Sequence, residues 1–328
     1  MRAAYYNESG PAKDVIKFGE FDKPKPGRGE ILVKLDTSGV NPSDVKSRTV
    51  GFERIRNFLP LIPHTDGAGI VESIGKDVKT IAPGDRVWVA FAQWRGSNGT
   101  CAEYVSVPQS YVFSLPSNTS FVEGACAGVP VLTAMHALSI GPSIKHKTVL
   151  ITGGATSVGN YAIQIAKQAG ARVLTTVGSE AKAATAKSVG ADETILYKSE
   201  NIVDQVNQMT DNIGVHYLVD MDMSYYSRLY PLIVAERGFI VVYGSNNPIA
   251  DGVPTHGFFI RDLTLKGFLL WNVSERQVKE LGENASRLFS ESRLKHNVGA
   301  TYPFDETAEA QDVVEYGRVS GNVVIELN

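Results

Sequence analysis

Three glycines, Gly153, Gly154 and Gly159, lie within a 23-residue stretch near the middle of the chain, Thr148–Gly170, TVLITGGATSVGNYAIQIAKQAG. Residues without side chains at such spacing suit one recurring chemistry. They let backbone N–H groups at a helix N-terminus come up against a pyrophosphate with no Cβ in the way. The best register is Gly154-x-Thr156-x-x-Gly159, with Ser157 and Val158 between, so Thr156 stands at the middle glycine of G-x-G-x-x-G. A threonine there crowds the phosphates unless the turn is wider or its hydroxyl donates a hydrogen bond. Taken alone, the motif also fits a plain tight turn between strand and helix.

The flanking residues predict the elements that would hold this turn. Val149, Leu150 and Ile151 form a short apolar run, and Ala162, Ile163, Ile165 and Ala166 recur on one helix face. The next apolar run, Arg172–Val177, predicts the second strand. A site for an unphosphorylated ribose carries Asp or Glu at that strand's end. Here the chain reads Val177-Gly178-Ser179-Glu180-Ala181-Lys182. A small residue, a hydroxyl and a lysine suit an adenosine 2′-phosphate, so NADPH is expected over NADH. Glu180 remains an alternative ribose ligand, and Lys182 an ordinary solvated helix residue.

The chain of 328 residues has room for two domains, each with its own core. Its net charge of −3, without a basic block, predicts neither a nucleic-acid nor an anionic-membrane partner. The start, MRAAYYNESG, lacks the pattern of a signal peptide and no later stretch reads as a membrane span, so a cytoplasmic protein is expected. Two cysteines argue against a disulfide framework and against a four-thiolate zinc site.

Before Glu123 the chain is β-rich. Strand-like runs at 2–6, 16–19, 30–38, 68–74, 86–90 and 102–108 are punctuated by Gly and Pro, which predicts a small barrel or sandwich. A helix is expected over 124–140. Strands and helices then alternate through 148–151, 160–169, 172–177, 180–189, 193–196, 199–210, 215–219, 224–235 and 238–242. Such alternation predicts an α/β domain with a doubly wound parallel sheet. From about Trp271 the pattern changes: a helix near 275–290, a turn at Tyr302-Pro303, a helix near 305–317 and a strand at 323–327.

Several motifs in this order carry a family resemblance. They are Gly39-Val-Asn-Pro-Ser-Asp44, Ile62-Pro-His-Thr-Asp-Gly-Ala-Gly-Ile-Val-Glu72 with Gly75, Pro83-Gly-Asp-Arg-Val87, Cys101-Ala-Glu-Tyr104 and Val129-Pro-Val-Leu-Thr-Ala134. They continue through the Val149–Gly170 unit, Gly190-Ala-Asp192 with Tyr197, and Gly238 to Gly244. Over essentially its whole length the chain resembles the zinc-independent branch of the medium-chain dehydrogenase/reductase superfamily, the NADPH:quinone oxidoreductase group that includes zeta-crystallin. The resemblance implies a GroES-like catalytic domain, 1–124 with 271–328, and a Rossmann NADPH-binding domain, 125–270. It implies hydride transfer from NADPH to a quinone, with a 2-alkenal or enoyl reductase, or a non-catalytic NADPH-binding protein, as alternatives. It also implies a homodimer paired through Phe239–Tyr243 and Leu263–Leu270.

Site residues carry over position by position. Asn41 and Thr133 match residues that line the nicotinamide and substrate end; on their own, Asn41 before Pro42 starts a turn and Thr133 bonds back within its helix. Gly154, Thr156, Ser157, Val158, Gly159 and Gly244 match the dinucleotide cradle. Ser179, Lys182, Tyr197 and, in a looser alignment, Arg318 match the 2′-phosphate end. The two tyrosine positions near the substrate are Lys46 and Phe52, which leaves the proton donor open. Phe52, Phe58, Leu59, Leu61 and Trp94 either wall a flat apolar slot or anchor the core. Zinc-dependent relatives carry Cys before the early Asp and Gly-His-Glu before Gly-Ala-Gly. Here Thr65 stands at the histidine position with His64 one residue early, so no metal is expected and His64 and Asp66 are read as structural, pairing with nearby backbone.

Overall fold

In the computed structural model the described residues are 1–93, 96–250 and 252–328, Arg54 by its backbone alone. The chain divides into two compact units, Met1–Leu132 with Val273–Asn328, and Thr133–Asn272.

The first unit is built on strands β1 (Arg2–Tyr5), β2 (Lys17–Glu20), β3 (Glu30–Val40), β4 (Asp66–Ile74), β5 (Arg86–Val89), β6 (Tyr104–Pro108) and β7 (Val112–Ser114). β3 is the hub, pairing antiparallel with both β4 and β6. Its length follows from an almost unbroken apolar face: Ile31, Val33 and Leu35 point into one core with Val71, Val87, Val105 and Val107. Short helices at Pro42–Arg48 and Phe52–Ile55 follow β3, and Gly128–Ser139 leads out of the unit.

The last part of the chain returns to this sheet. Among the remaining strands, β14 (Val298–Pro303) pairs parallel with β15 (Asn322–Glu326), and β15 pairs antiparallel with β3. The Glu275–Ser290 helix covers Trp88. The buried indole stacks on Phe113 at 4.4 Å and donates from Nε1 to Ser286 Oγ at 2.9 Å. Gly282 is small of necessity, because a Cβ there would meet the Phe113 ring at 2.2 Å.

The second unit carries β8 (Thr148–Thr152), β9 (Arg172–Val177), β10 (Glu193–Leu196), β11 (Val215–Asp220), β12 (Val234–Val242) and β13 (Thr264–Gly267). They form one parallel sheet in the order β10-β9-β8-β11-β12-β13. This is the doubly wound order, whose switch point lies between β8 and β11 at their C-terminal ends. Helices Ser157–Gln168, Glu180–Ser188 and Ile202–Met209 connect the strands.

Two stretches differ from expectation. The helix expected over 224–235 is two single turns, Met223–Tyr226 and Tyr230–Ile233, after which β12 begins at Val234. Pro231 limits the helix, and the β-branched run Ile233-Val234 favours the sheet. β14 forms where a turn was expected at Tyr302-Pro303, because Tyr302 pairs with Ile325 on β15.

Candidate functional site

At the end of β8 the chain turns through Gly153 into the Ser157–Gln168 helix. Gly153 has φ +71° and a Cβ there would lie 2.3 Å from Met221 Sδ. A Cβ on Gly154 would meet Thr175 Oγ1 at 2.2 Å, and one on Gly159 would meet the Gly153 carbonyl oxygen at 2.2 Å. The glycines are thus required by the packing of the turn itself. Thr156 is the N-cap: its hydroxyl accepts from Gly159 N–H at 3.2 Å and donates to Gly153 O at 2.7 Å. That hydroxyl is spent inside the turn, so Thr156 does not donate outward. The first-turn N–H groups of Ser157 and Val158 have no protein partner among the described residues. With the positive end of the helix dipole behind them, they form a ready anion site.

Thr176, on β9, fastens this turn. Gly154 N–H donates to its carbonyl at 3.1 Å, Gly153 N–H to its hydroxyl at 3.2 Å, and the Tyr226 hydroxyl pairs with that hydroxyl at 2.8 Å. Across the switch point Thr152 donates to Asp220 at 2.9 Å, and Tyr230 donates to the other oxygen at 2.6 Å. Burial raises the Asp220 carboxyl above its usual range. Gly244 comes close to this loop, since a Cβ on it would lie 2.4 Å from Met221 O.

Ser179 follows β9 and caps the Glu180–Ser188 helix, its hydroxyl accepting from Lys182 N–H at 3.4 Å. Lys182 is in the first turn of that helix. Tyr197 follows β10, which pairs with β9, so its hydroxyl lies 3.3 Å from the Cβ position of Gly178. Gly178, Ser179 and Tyr197 therefore lie at one sheet end, with Lys182 in the first turn of the helix that Ser179 caps. A further cation joins them that the sequence reading passed over: Lys198 Cε is 3.4 Å from the same position. Its signal was adjacency to Tyr197. Thr133 is buried in the Gly128–Ser139 helix, and among the described residues its hydroxyl makes no bond back to the preceding turn.

Asn41, Lys46, Phe52 and Arg318 belong to the first unit. Asn41 is the N-cap of the Pro42–Arg48 helix with Pro42 at the first position. Its backbone N–H donates to Asp44 Oδ2 at 2.7 Å, and its amide Nδ2 donates to Asp66 Oδ2 at 2.7 Å. Asp66 also accepts from Val129 N–H at 2.8 Å and from the Thr65 hydroxyl at 3.3 Å. Burial pushes the Asp66 carboxyl up to about 7, against those bonds. Asp44 is raised well above the carboxylate range by burial first and by the Asp66 charge second. Ser43 Oγ is buried with no partner among the described residues.

His64 is fully buried, and both ring nitrogens are engaged: Nδ1 with Ser38 Oγ at 3.0 Å and Nε2 with Gln311 Nε2 at 3.1 Å. Burial holds its pKa down to about 3. The partners of His64 and Asp66 are thus mostly side chains, where backbone was expected. Gln311 accepts from Arg48 at 2.7 Å, and Arg48 reaches Glu315 at 2.5 Å and the Gly10 carbonyl. Ser38 continues to Thr100, which donates to Asp66 O at 2.6 Å. This donor set does not fit zinc: the imidazole is committed on both sides, Thr65 offers a hydroxyl and Asn41 an amide. Burial raises the thiols of Cys101 to about 12 and of Cys126 higher, away from thiolate chemistry. Among the described residues no three His, Cys, Asp or Glu side chains gather to hold a metal.

Phe52, Phe58 and Leu59 pack against the core of the first unit and Leu61 is buried in it. Trp94, the other side chain considered for an apolar slot, lies outside the described residues. Lys46 and Arg318 are exposed, the Arg318 guanidinium 4.9 Å from the Tyr316 ring. No helix among the described residues is long and apolar enough to cross a membrane.

Comparison with known proteins gives two family matches. Residues 27–117 match the alcohol dehydrogenase GroES-like domain, and residues 157–287 match the zinc-binding dehydrogenase domain. The quinone oxidoreductase of Sus scrofa is 28% identical over 304 residues, 92% of this chain and 90% of that protein. A solved NAD-dependent alcohol dehydrogenase aligns with a TM-score of 0.91 at 28% identity, covering 100% of both chains. A mycobacterial protein solved in complex with NADPH aligns at 0.89 and 26% identity, again over 100% of both.

Proposed function

Because the chain belongs to the medium-chain dehydrogenase/reductase family, we propose that it is an NADPH-dependent reductase that passes hydride to a quinone or a related conjugated carbonyl without a metal. The observation that carries this reading is the sheet end after β9, where Tyr197 and Lys198 approach Gly178, Ser179 caps the helix whose first turn carries Lys182, and no carboxylate occupies the strand-end position. Hydroxyls and cations favour a 2′-phosphate, whereas an unphosphorylated ribose is held by an acidic side chain. The turn supports the same reading. Its glycines let the turn pack tightly at the helix start, and the N–H groups of Ser157 and Val158 are left to receive a pyrophosphate.

NADPH bound there supplies the hydride, and the acceptor spreads the arriving charge over its own π-system. The protein's part is then to orient the rings and exclude water, which needs no Lewis acid. This agrees with the committed nitrogens of His64 and the protonated thiols. Asn41 and Thr133 are the residues we assign to the nicotinamide and substrate end. The similarity to a quinone oxidoreductase supports a quinone as acceptor, and the similarity to an NADPH complex supports the cofactor. Parallel assays of NADPH oxidation with 1,4-benzoquinone, 9,10-phenanthrenequinone and an aliphatic 2-enal, with NADH as control, test the reading. Preference for the enal would move it to a double-bond reductase; cofactor binding with no turnover would move it to a non-catalytic protein.

We also infer a homodimer. β13 is the edge of the parallel sheet, all its residues are exposed, and the preceding helix exposes Phe259 at 79% and Ile260 at 68%. An open strand edge with exposed Leu265, next in the chain to a helix that exposes Phe259 and Ile260, needs a cover, which a second copy supplies.

A further inference from the structure

Three tyrosines from two segments of the second unit stand together near the end of β9. Tyr226 follows β11, yet its hydroxyl pairs with the Thr176 hydroxyl on β9 at 2.8 Å, reaching across β8, which lies between those strands. The neighbouring Tyr225 sets its ring edge-to-face with that of Tyr226, at 4.8 Å and 69°, and with that of Tyr197 after β10, at 6.2 Å and 68°. Tyr226 is 5% exposed and Tyr225 48%. The Met223–Tyr226 helix that bears them is braced from behind. Asp222 accepts from Ser224 Oγ at 2.5 Å and from the backbone N–H and side-chain amide of Asn246 at 3.0 and 2.6 Å, and Met223 N–H donates to Gly244 O at 3.2 Å. An exposed aromatic ring on so fixed a support loses little freedom when a flat group stacks on it.

We propose that Tyr225 is the residue on which the adenine of the cofactor stacks. This rests on the reading of the same sheet end as the 2′-phosphate site. A single ribose carries the base, the 2′-phosphate and the 5′-pyrophosphate, so fixing the two phosphate groups fixes where the base falls. With the pyrophosphate at the N–H groups of Ser157 and Val158 and the 2′-phosphate beside Lys198, the base falls at the end of β9. Tyr226 reaches that strand end and Tyr197 flanks it, and Tyr225 lies against both with half of its surface open. A ring meets a base through its face and not its edge, so the site selects a flat heterocycle and is indifferent to the amino group of adenine.

The test is equilibrium binding of NADPH and of adenosine 2′,5′-bisphosphate, which has the base and both phosphate positions and no nicotinamide. Tyr225→Ala is expected to weaken both by about tenfold, and Tyr225→Phe to leave both within about twofold. The wild type should bind the hypoxanthine analogue of NADPH within about twofold of NADPH itself. In Tyr225→Trp, saturating bisphosphate should quench tryptophan emission beyond any change in the wild type, a signature that support of the loop alone does not produce. Unchanged or tighter binding in Tyr225→Ala overturns the proposal. So does an equal loss in Tyr225→Phe, which would assign the effect to the hydroxyl, a strong preference against the hypoxanthine analogue, or no added quenching in the tryptophan variant. Each of these leaves the NADPH reading standing. A wild type that binds neither NADPH nor the bisphosphate is a different result and would overturn that reading together with this one.

Discussion

Lys182 and Lys198 approach the same sheet end from different elements, one from a helix first turn and one from the residue after Tyr197. If both read a 2′-phosphate, Lys182→Ala should weaken NADPH by about tenfold and leave NADH within about twofold, since a charge-assisted bond to phosphate is lost only with the phosphorylated cofactor. Lys198→Ala should act in the same direction. Equal weakening of both cofactors, measured by fluorescence titration, would remove the role. Ser179 and Lys182 could be picked out in the sequence because the strand–turn–helix pattern fixes where a strand ends, whereas Tyr197, which alone reads as a strand residue, was singled out only through the family resemblance. Lys198 was not, because its neighbour on the adjacent parallel strand is set by sheet register. The engagement of Asn41 by Asp66, 25 residues away, was invisible for the same kind of reason. Sequence gives the cap before Pro42, but only the pairing of β3 with β4 brings Asp66 beside it.

The phosphate turn shows how one element serves two purposes. Thr156 replaces a glycine of the common pattern and turns its hydroxyl inward as a cap, so Thr156→Ala should cost about 1 kcal/mol of stability in urea unfolding. Cofactor affinity should change little; a large loss of NADPH binding without loss of stability would mean that the hydroxyl faces the ligand. Gly159→Ala should destabilise by about 1–3 kcal/mol, because its Cβ would meet the Gly153 carbonyl. Here the sequence was informative: Val149–Ile151 and the Ala162–Ala166 face specify strand and helix by local pattern. It was less informative at Met223–Ile233, where tertiary pairing of β12 overrode a helical pattern, and at Val298–Pro303, whose strand character depends on a partner at the chain's far end.

For the molecule as a whole, buried titratable groups set opposing pH dependences. His64 has a folded pKa near 3, below its unfolded 6.5, so its contribution to stability is lost as pH falls below 6.5. Asp66 has a folded pKa near 7, above its unfolded 3.8, so its contribution is present in acid and lost as pH rises toward 7. Between about pH 4 and 6.5 the two slopes oppose. Removing the Asp66 proton site by Asp66→Asn should therefore make stability fall more steeply toward acid, by up to about 1.4 kcal/mol per pH unit. Urea midpoints across that range check this, and parallel curves for variant and wild type would contradict it. At the β13 edge, Ile260→Asp should shift the protein from dimer to monomer in sedimentation; a monomeric wild type would remove the assembly proposed here. The whole molecule is proposed to transfer hydride from NADPH to a conjugated acceptor. The most direct measurement is NADPH oxidation with 9,10-phenanthrenequinone on protein treated with a chelator and assayed for zinc. Turnover should exceed the NADH rate and be unaffected by the chelator. Turnover that requires stoichiometric zinc, or that is faster with NADH, would contradict it.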